Sequence, residues 1–195
     1  SLQIIASVLM QSARRVQSDE ARGHLHNAHH RVMSIAAVQR QLSTSSGDNV
    51  ELRSYFTQLC ESLGASMIAD ESRFSISVTV DDSVVEADVS VSLGLIVTEL
   101  VINALKHAFI DQQTGRIAID YRSTGSDWTL SVADDGVGMP TGSVAAKAGL
   151  GTGIVEALAR NLQGEIKLND ASPGTAVIIS HRGDADRRTR IPAAA

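Results

Sequence analysis

The sequence predicts an α+β protein, in which a helical hairpin precedes a domain that combines helices with a sheet containing antiparallel strand pairs. Apolar residues recur at heptad spacing near the N-terminus, and apolar and polar residues alternate in several later segments. The 195 residues are enough for one sizeable core plus a smaller appendage. We expect a hairpin domain over residues 1–46, a larger domain over residues 47–182 and a disordered tail over residues 183–195.

The first 46 residues are expected to form two antiparallel helices. Residues 1–17 carry apolar side chains at steps of three and four, and a polar break follows at Ser18-Asp19. The second helix has strict 4-3-4-3 spacing at Ala21, Leu25, Ala28, Val32, Ile35, Gln39 and Leu42. One hairpin cannot bury such a seam, so we expect a homodimer through residues 1–46 that forms a four-helix bundle. Packing of the hairpin against the rest of its own chain is the alternative.

The larger domain is predicted to begin after a short polar linker, residues 43–47. Asp48 or Asn49 is expected to cap a helix that ends at Gly64. Its apolar positions recur at helical spacing and are expected to face inward: Leu52, Phe56, Leu59 and Leu63. The following elements are predicted as a strand over 74–80, a helix over 89–109, strands over 116–121 and 128–133, a helix over 153–162, and strands over 165–168 and 175–180.

The helix over 89–109 carries one polar stripe on an otherwise apolar surface. Glu99, Asn103, Lys106 and His107 fall along this stripe at the helical period. Asn is unfavourable inside a helix, and burying these groups together costs free energy unless a partner satisfies them. A metal-bound polyphosphate would do so, because a hard cation prefers oxygen ligands and phosphates prefer cationic donors. The alternative is a solvated helix face.

The strand over 128–133 is followed by a turn whose glycines and carboxylate suit ligand binding. Gly136 and Gly138 let the backbone turn sharply and approach a ligand closely. Asp134, at the mouth of a buried strand, suits an exocyclic amine donor such as that of adenine.

A second glycine-rich segment opens the helix over 153–162. Gly149, Gly151 and Gly153 expose backbone N–H groups at a helix N-terminus, which is an anion site. The chain has no Walker A motif, and the loop does not match the dinucleotide-binding fingerprint. The small residues over 141–148 suit either a mobile lid over a nucleotide or a flexible surface loop.

The composition indicates which binding partners are excluded and which cellular compartment is favoured. A net charge of −5 without a dense Lys/Arg stripe argues against binding to nucleic acid. One cysteine, Cys60, cannot form an internal disulfide, which favours the cytoplasm. We find no uninterrupted apolar run of membrane-spanning length and no signal-peptide pattern, so we expect no membrane insertion. His26 and His30 share a helix face, but a solvated face is a simpler explanation than a metal site.

Four segments in order, ELVINALKHAF, DDGVGMP, GLGTG and Gly174-Thr175, resemble the ATP-binding domain of the GHKL superfamily, which includes gyrase-type ATPases and sensor histidine kinases. The resemblance covers about residues 49–181 and implies a Bergerat-type α/β sandwich that binds ATP and Mg²⁺. It implies Asn103 as the magnesium ligand and Glu99 as the candidate catalytic base, or as a residue that orders water near the metal. The implied ATP contacts are Asp134 at the adenine amine, Lys106 and His107 near the phosphates, and the glycine boxes of Gly136, Gly138, Gly149, Gly151, Gly153 and Thr175.

The hairpin resembles the dimerisation domain of histidine kinases related to the HWE group. RGHLHNAHHRVMSIAAVQRQL is similar to its second helix, and SLQIIASVLM to the part of the first helix after the phosphoacceptor box. The acceptor histidine would therefore precede Ser1, and this chain alone is expected to be inactive in autophosphorylation. His26 and His30 lie in the second helix, so neither is expected to be the acceptor.

The resemblance implies the catalytic core of a sensor histidine kinase, with a response-regulator receiver domain as its partner. It also implies a cytoplasmic protein or the cytoplasmic portion of a larger sensor. A regulatory module that binds ATP without phosphorylating itself is the main alternative. A GHKL ATPase is a third, although the short lid and small size argue against it.

Overall fold

The computed structural model describes residues 2–44, 49–68, 70, 72–110, 112–138 and 150–183. In chain order the elements are α1 (Leu2–Arg15), α2 (Asp19–Thr44), β1 (Asn49–Glu51), α3 (Leu52–Met67), β2 (Phe74–Val80), β3 (Val84–Glu86), α4 (Ala87–His107), β4 (Gly115–Thr124), β5 (Asp127–Asp134), α5 (Leu150–Asn161), β6 (Glu165–Asp170) and β7 (Thr175–His181). The predicted α+β fold is confirmed.

The hairpin forms as predicted from α1 and α2, which pack against each other across a three-residue connection. Ser18 caps α2, since its Oγ accepts a hydrogen bond from the Ala21 N–H at 3.3 Å. Helix α2 continues through Thr44, so the first residues of the predicted linker are helical. The rest of the linker, residues 45–47, and the tail from residue 184 lie outside the described residues.

The second half of α2 packs against its own chain. Ala37 and Val38 are buried in the core that α2 shares with α3 and α4. This part of the hairpin therefore packs against the rest of its own chain, as the alternative to a dimer seam expects. The predicted seam itself is half-buried from Ala21 to Ile35, Gln39 is exposed, and the Leu42 side chain lies outside the described part of the structure.

The main sheet has the order β2-β4-β5-β7-β6. Strands β2 and β4 are parallel, whereas the other neighbours are antiparallel, which confirms the predicted antiparallel pairs. A separate antiparallel ribbon of β1 and β3 was not predicted. With three residues each, these strands are too short to show alternation.

Helix α4 lies at the centre of the core. Leu93, Ile96, Val97 and Val101 are fully buried, and α4 contacts α2, α3, α5 and the sheet. By length and composition α4 is the one helix of the described residues that could cross a membrane. Most of it is buried within the domain, as in the core helix of a globular fold.

Two predicted ends of α3 are wrong. Its start is not capped by Asp48 or Asn49, because β1 occupies residues 49–51 and the N-cap residue Glu51 makes no side-chain capping bond. Gly64 does not end the helix either; its φ is not positive, and its carbonyl accepts a hydrogen bond from the Ile68 N–H at 2.8 Å. The predicted inward positions are confirmed as buried: Leu52, Phe56, Leu59 and Leu63.

Candidate functional site

The exposure of the polar stripe of α4 increases along the helix. Glu99 is 2% exposed, Asn103 is half-buried, and Lys106 and His107 are exposed. Among the described residues, no side-chain hydrogen bond involves Asn103 or His107. At the outer end, Asn103 and His107 therefore remain without a side-chain partner among the described residues.

Arg31 of α2 satisfies Glu99. Its Nε donates a short hydrogen bond to Glu99 Oε1, and its Nη2 donates to Oε2 at 2.8 Å. This bidentate geometry engages both carboxylate oxygens, and the hydrogen bonding to Glu99 raises the pKa of the Arg31 guanidinium. Sequence reasoning missed this pair, although a carboxylate predicted on a mostly buried helix implies a cationic partner.

Lys106 also contacts α2. Its Nζ donates to Asn27 Oδ1 at 2.7 Å, and desolvation of the ammonium group is the main cause that lowers its pKa. Asn27, Arg31 and Ser34 lie on one face of α2, and the Ser34 hydroxyl meets that of Tyr55 in α3 at 3.2 Å. One face of α2 therefore makes three polar contacts with the domain that the sequence predicts to bind ATP.

His30 lies in the same interface. Burial, with smaller contributions from His29, His26 and Lys106, lowers the His30 pKa from 6.5 to about 4. The His30 imidazole is therefore neutral near pH 7, so it adds no second positive charge to that of Lys106. Within the described residues, no group of three or more His, Cys, Asp or Glu side chains is arranged to hold a metal ion.

Asp134 organises the turn that follows β5. Its Oδ1 accepts hydrogen bonds from the N–H groups of Gly136 at 3.0 Å and Thr175 at 3.2 Å. Its Oδ2 has no partner among the described residues. One carboxylate oxygen therefore fixes the loop while the other is available to a donor on a ligand.

The same turn lies against the C-terminal end of α4. The Val137 N–H donates to the Ala108 carbonyl at 2.8 Å, and a Cβ at Gly136 would clash with that carbonyl. Only glycine permits this close approach. The turn that carries Asp134 thus lies beside the helix end that carries Asn103 and Lys106.

Gly138 lies against Gly174, and Gly174 lies against the Asp134 backbone. Both glycines have positive φ, 74° and 98°, which L-amino acids with side chains rarely adopt. The structure therefore brings together the predicted residues Asp134, Gly136, Gly138 and Thr175.

Helix α5 begins at Leu150, three residues before the predicted start, so Gly151 and Gly153 lie in its first turn. The first N–H groups of a helix have no intrahelical partner, and the anion site expected at this helix start stays a prediction. A Cβ at Gly153 would meet nothing within 4 Å. Residues 139–149, which include Gly149 and the expected lid, lie outside the described part of the chain.

Comparison with known proteins finds family models that match the N-terminal and the C-terminal part of the chain. A family model described as histidine kinase matches residues 1–67, and one described as histidine kinase-, DNA gyrase B-, and HSP90-like ATPase matches residues 88–184. The sensor histidine kinase PdtaS of Mycolicibacterium smegmatis is 33% identical over 195 residues, covering 97% of this chain and 38% of the relative. Blue-light-activated histidine kinase 2 of Erythrobacter litoralis is 34% identical over 115 residues, covering 56% of this chain and 33% of the relative.

Solved structures show the same fold. The histidine kinase domain of the Erythrobacter litoralis EL346 blue-light activated histidine kinase superposes with a TM-score of 0.71 at 21% identity. That match covers 91% of this chain and 94% of the other. The chain spans 38% of the length of the PdtaS relative.

Proposed function

Since this chain belongs to the histidine kinase family, we propose that it is the ATP-binding catalytic core of a two-component sensor histidine kinase. In this proposal the γ-phosphoryl group of ATP passes to a histidine and is then relayed to an Asp of a response-regulator receiver domain. The observation that carries the proposal is the hydrogen bond between the Val137 N–H and the Ala108 carbonyl. It joins the turn of Asp134 to the end of α4, so the carboxylate proposed to bind adenine and the helix end proposed to bind the phosphates are neighbours.

Asp134 is proposed to select adenine. Its Oδ2, which has no partner among the described residues, is an acceptor for the exocyclic amine, while its Oδ1 accepts hydrogen bonds from the N–H groups of Gly136 and Thr175. Because the loop is already ordered by these two hydrogen bonds, the acceptor is positioned before the ligand arrives.

The outer end of the α4 stripe is proposed to hold the triphosphate. The half-buried Asn103 amide has no side-chain hydrogen bond in the described structure, and its oxygen suits a Mg²⁺ ligand. Lys106, His107 and the first-turn amides of α5 supply donors for phosphate oxygens. A bound Mg²⁺ would neutralise phosphate charge, whereas the residues of this chain orient the nucleotide. Glu99 is proposed as the base for the attacking histidine or as the residue that orders water near the metal.

The hairpin over residues 1–46 is proposed to form a homodimer. Ile4, Ile5 and Val8 of α1 are at least half exposed on one helix face. Burying these side chains against a second copy would remove apolar surface from water. We also propose a cytoplasmic setting, where a receiver domain can reach the hairpin.

Calorimetric titration with Mg-ATP tests the nucleotide site. We expect binding to the wild-type chain that weakens in an Asp134→Asn variant. A folded wild-type chain that binds no Mg-ATP would refute the proposal.

Incubation with γ-labelled ATP tests the reaction, first on this chain and then on the complete protein. We expect this chain to bind ATP without keeping label, and the complete protein to keep acid-labile, alkali-stable phosphate. If both proteins bind ATP without keeping label, the result would support the regulatory module. The burial of Glu99 against Arg31 favours this alternative. Rapid release of free phosphate would support an ATPase.

A further inference from the structure

Asp135, the residue after the carboxylate proposed to bind adenine, continues the pairing of β5 with β4 beyond the strand itself. The register of the two strands ends at the pair Ile117–Asp134, so the next pair is Arg116 with Asp135. The Asp135 N–H donates to the Arg116 carbonyl at 3.2 Å. In return, the Arg116 N–H donates to Asp135 Oδ1 at 2.6 Å. Both main-chain hydrogen-bonding groups of Arg116 are therefore paired with this one residue.

The side chain of Asp135 replaces a main-chain acceptor. In a regular antiparallel ladder, a hydrogen-bonded pair of facing residues exchanges two N–H···O=C bonds. Here the Arg116 N–H donates to the carboxylate instead, so the second bond of the pair is kept while the backbone leaves the strand. The turn begins at the next residue, Gly136, which lies so close to the Ala108 carbonyl that a Cβ would clash with it. The Asp135 carboxylate thus holds the end of β5 at the point where the turn starts.

The orientation of Asp134 depends on this contact. Its Oδ1 accepts hydrogen bonds from the N–H groups of Gly136 and Thr175. Asp135 lies in the chain between the Asp134 carboxylate and the Gly136 N–H that helps to orient it. If the backbone at Asp135 moved away from β4, the Gly136 N–H would move with it, and Asp134 would lose one of its two supports.

We propose that Asp135 is a positioning residue for nucleotide recognition, whose carboxylate holds the turn so that Asp134 meets the exocyclic amine of adenine. The inference rests on the proposed function of Asp134. It adds that recognition of the amine depends on a second carboxylate, which is exposed and holds the backbone of β4 instead of a ligand.

The physical reason is preorganisation. Without the Asp135 carboxylate the turn populates other conformations, and the apparent affinity falls by the fraction of chains whose turn is competent to bind. One net hydrogen bond shifts such an equilibrium by about two- to tenfold. A ligand without the exocyclic amine makes no hydrogen bond to Asp134 Oδ2, so its affinity depends less on that fraction.

Calorimetry with ATP and with purine riboside triphosphate, which lacks the exocyclic amine, measures this dependence. We expect Asp135→Ala to weaken Mg-ATP binding by about three- to tenfold and purine riboside triphosphate binding by less than about twofold. Asp135→Asn should restore most of the wild-type preference for ATP, because its amide oxygen still accepts a hydrogen bond from the Arg116 N–H. Because Asp135 is exposed, both variants are expected to fold.

Asp127→Ala is the matched control. Asp127 lies at the opposite end of β5, and its Oδ1 accepts a hydrogen bond from the Gly183 N–H at 2.7 Å. This variant loses the same kind of hydrogen bond, from a backbone N–H to a carboxylate, at the end of the strand that is far from Asp134. We expect it to lower the melting temperature as Asp135→Ala does and to leave the preference for ATP unchanged.

Amide hydrogen exchange, measured by NMR without nucleotide, tests the positioning role independently of binding. In Asp135→Ala the Gly136 and Thr175 amides should exchange about two- to tenfold faster, because their hydrogen bonds to Asp134 open more often. In Asp127→Ala and Asp135→Asn these two amides should exchange as they do in the wild-type chain.

Two results would each overturn the inference: an unchanged preference for ATP in Asp135→Ala, or unchanged exchange of the Gly136 amide in that variant. An equal loss of preference in Asp127→Ala would also overturn it, since the effect would then reflect general destabilisation. Failure of the proposed function is a distinct outcome, because the wild-type chain itself would then bind no Mg-ATP or show no preference for ATP over purine riboside triphosphate.

Discussion

Asp134→Asn separates the adenine-reading role of Asp134 from its structural role. In the wild-type chain one oxygen accepts hydrogen bonds from two backbone N–H groups, and the other has no partner among the residues that the structure describes. The carbonyl oxygen of Asn replaces the first oxygen, so the loop bonds persist. The amide NH₂ replaces the second oxygen and presents a donor to the adenine amine, which is also a donor.

The expected magnitude follows from these contacts. Losing one hydrogen bond between a charged acceptor and the adenine amine costs about 1.5–3 kcal/mol, or roughly 10- to 150-fold in affinity. Stability should change little, because both backbone N–H groups keep an acceptor. Asp134→Ala, by contrast, should also lower the free energy of unfolding by about 1–3 kcal/mol, since two backbone donors lose their partner.

Titration calorimetry with two ligands tests this reasoning. ATP carries the exocyclic amine, whereas purine riboside triphosphate lacks it. We expect Asp134→Asn to weaken ATP binding strongly and purine riboside triphosphate binding by less than about threefold, because only ATP meets the misplaced donor. Equal losses for the two ligands would refute the assignment of Asp134 to the adenine amine.

Four further predictions test the site and its supports. Asn103→Ala should weaken Mg-ATP binding by about 1–3 kcal/mol without changing adenosine affinity, measured by calorimetry; equal losses would contradict a magnesium role. Gly153→Ala should raise the free energy of unfolding by about 0.5–1 kcal/mol yet weaken ATP binding, and unaltered ATP affinity would argue against a phosphate approaching this turn. The folded state holds the His30 pKa at about 4 against 6.5 when unfolded. Because the unfolded chain then binds the extra proton, urea denaturation should show stability falling by about 1–3 kcal/mol as pH drops from about 6.5 to about 4. His30→Gln should flatten this profile, and parallel profiles would contradict it. Gly94→Ala should destabilise the fold by about 1–3 kcal/mol in thermal denaturation, because the added Cβ would overlap the buried Tyr55 ring; an unchanged melting temperature would show that Tyr55 can move aside.

Local patterns in the sequence were enough to predict most elements and the family. Periodicity reports which face of an element is buried, and it located β2 at its observed bounds and α4 within two residues at each end. The polar stripe of α4 and the glycine-rich turns were visible because helical spacing and glycine placement are properties of neighbouring residues. The family that these segments indicated is confirmed by both family models. The site roles themselves stay predictions.

Tertiary structure alone decided which elements meet. Arg31 and Glu99 are 68 residues apart in sequence, and no local pattern specifies that α2 docks on α4. The contact of Val137 with Ala108 likewise depends on how β5 is positioned beside α4. Periodicity shows that a face must be covered, but many partners can cover it, and only the packing of the whole core selects one. Sequence therefore determined the chemistry carried by each segment. Packing decided that Arg31 encloses Glu99 and that, within the described part of the chain, one oxygen of Asp134 has no partner.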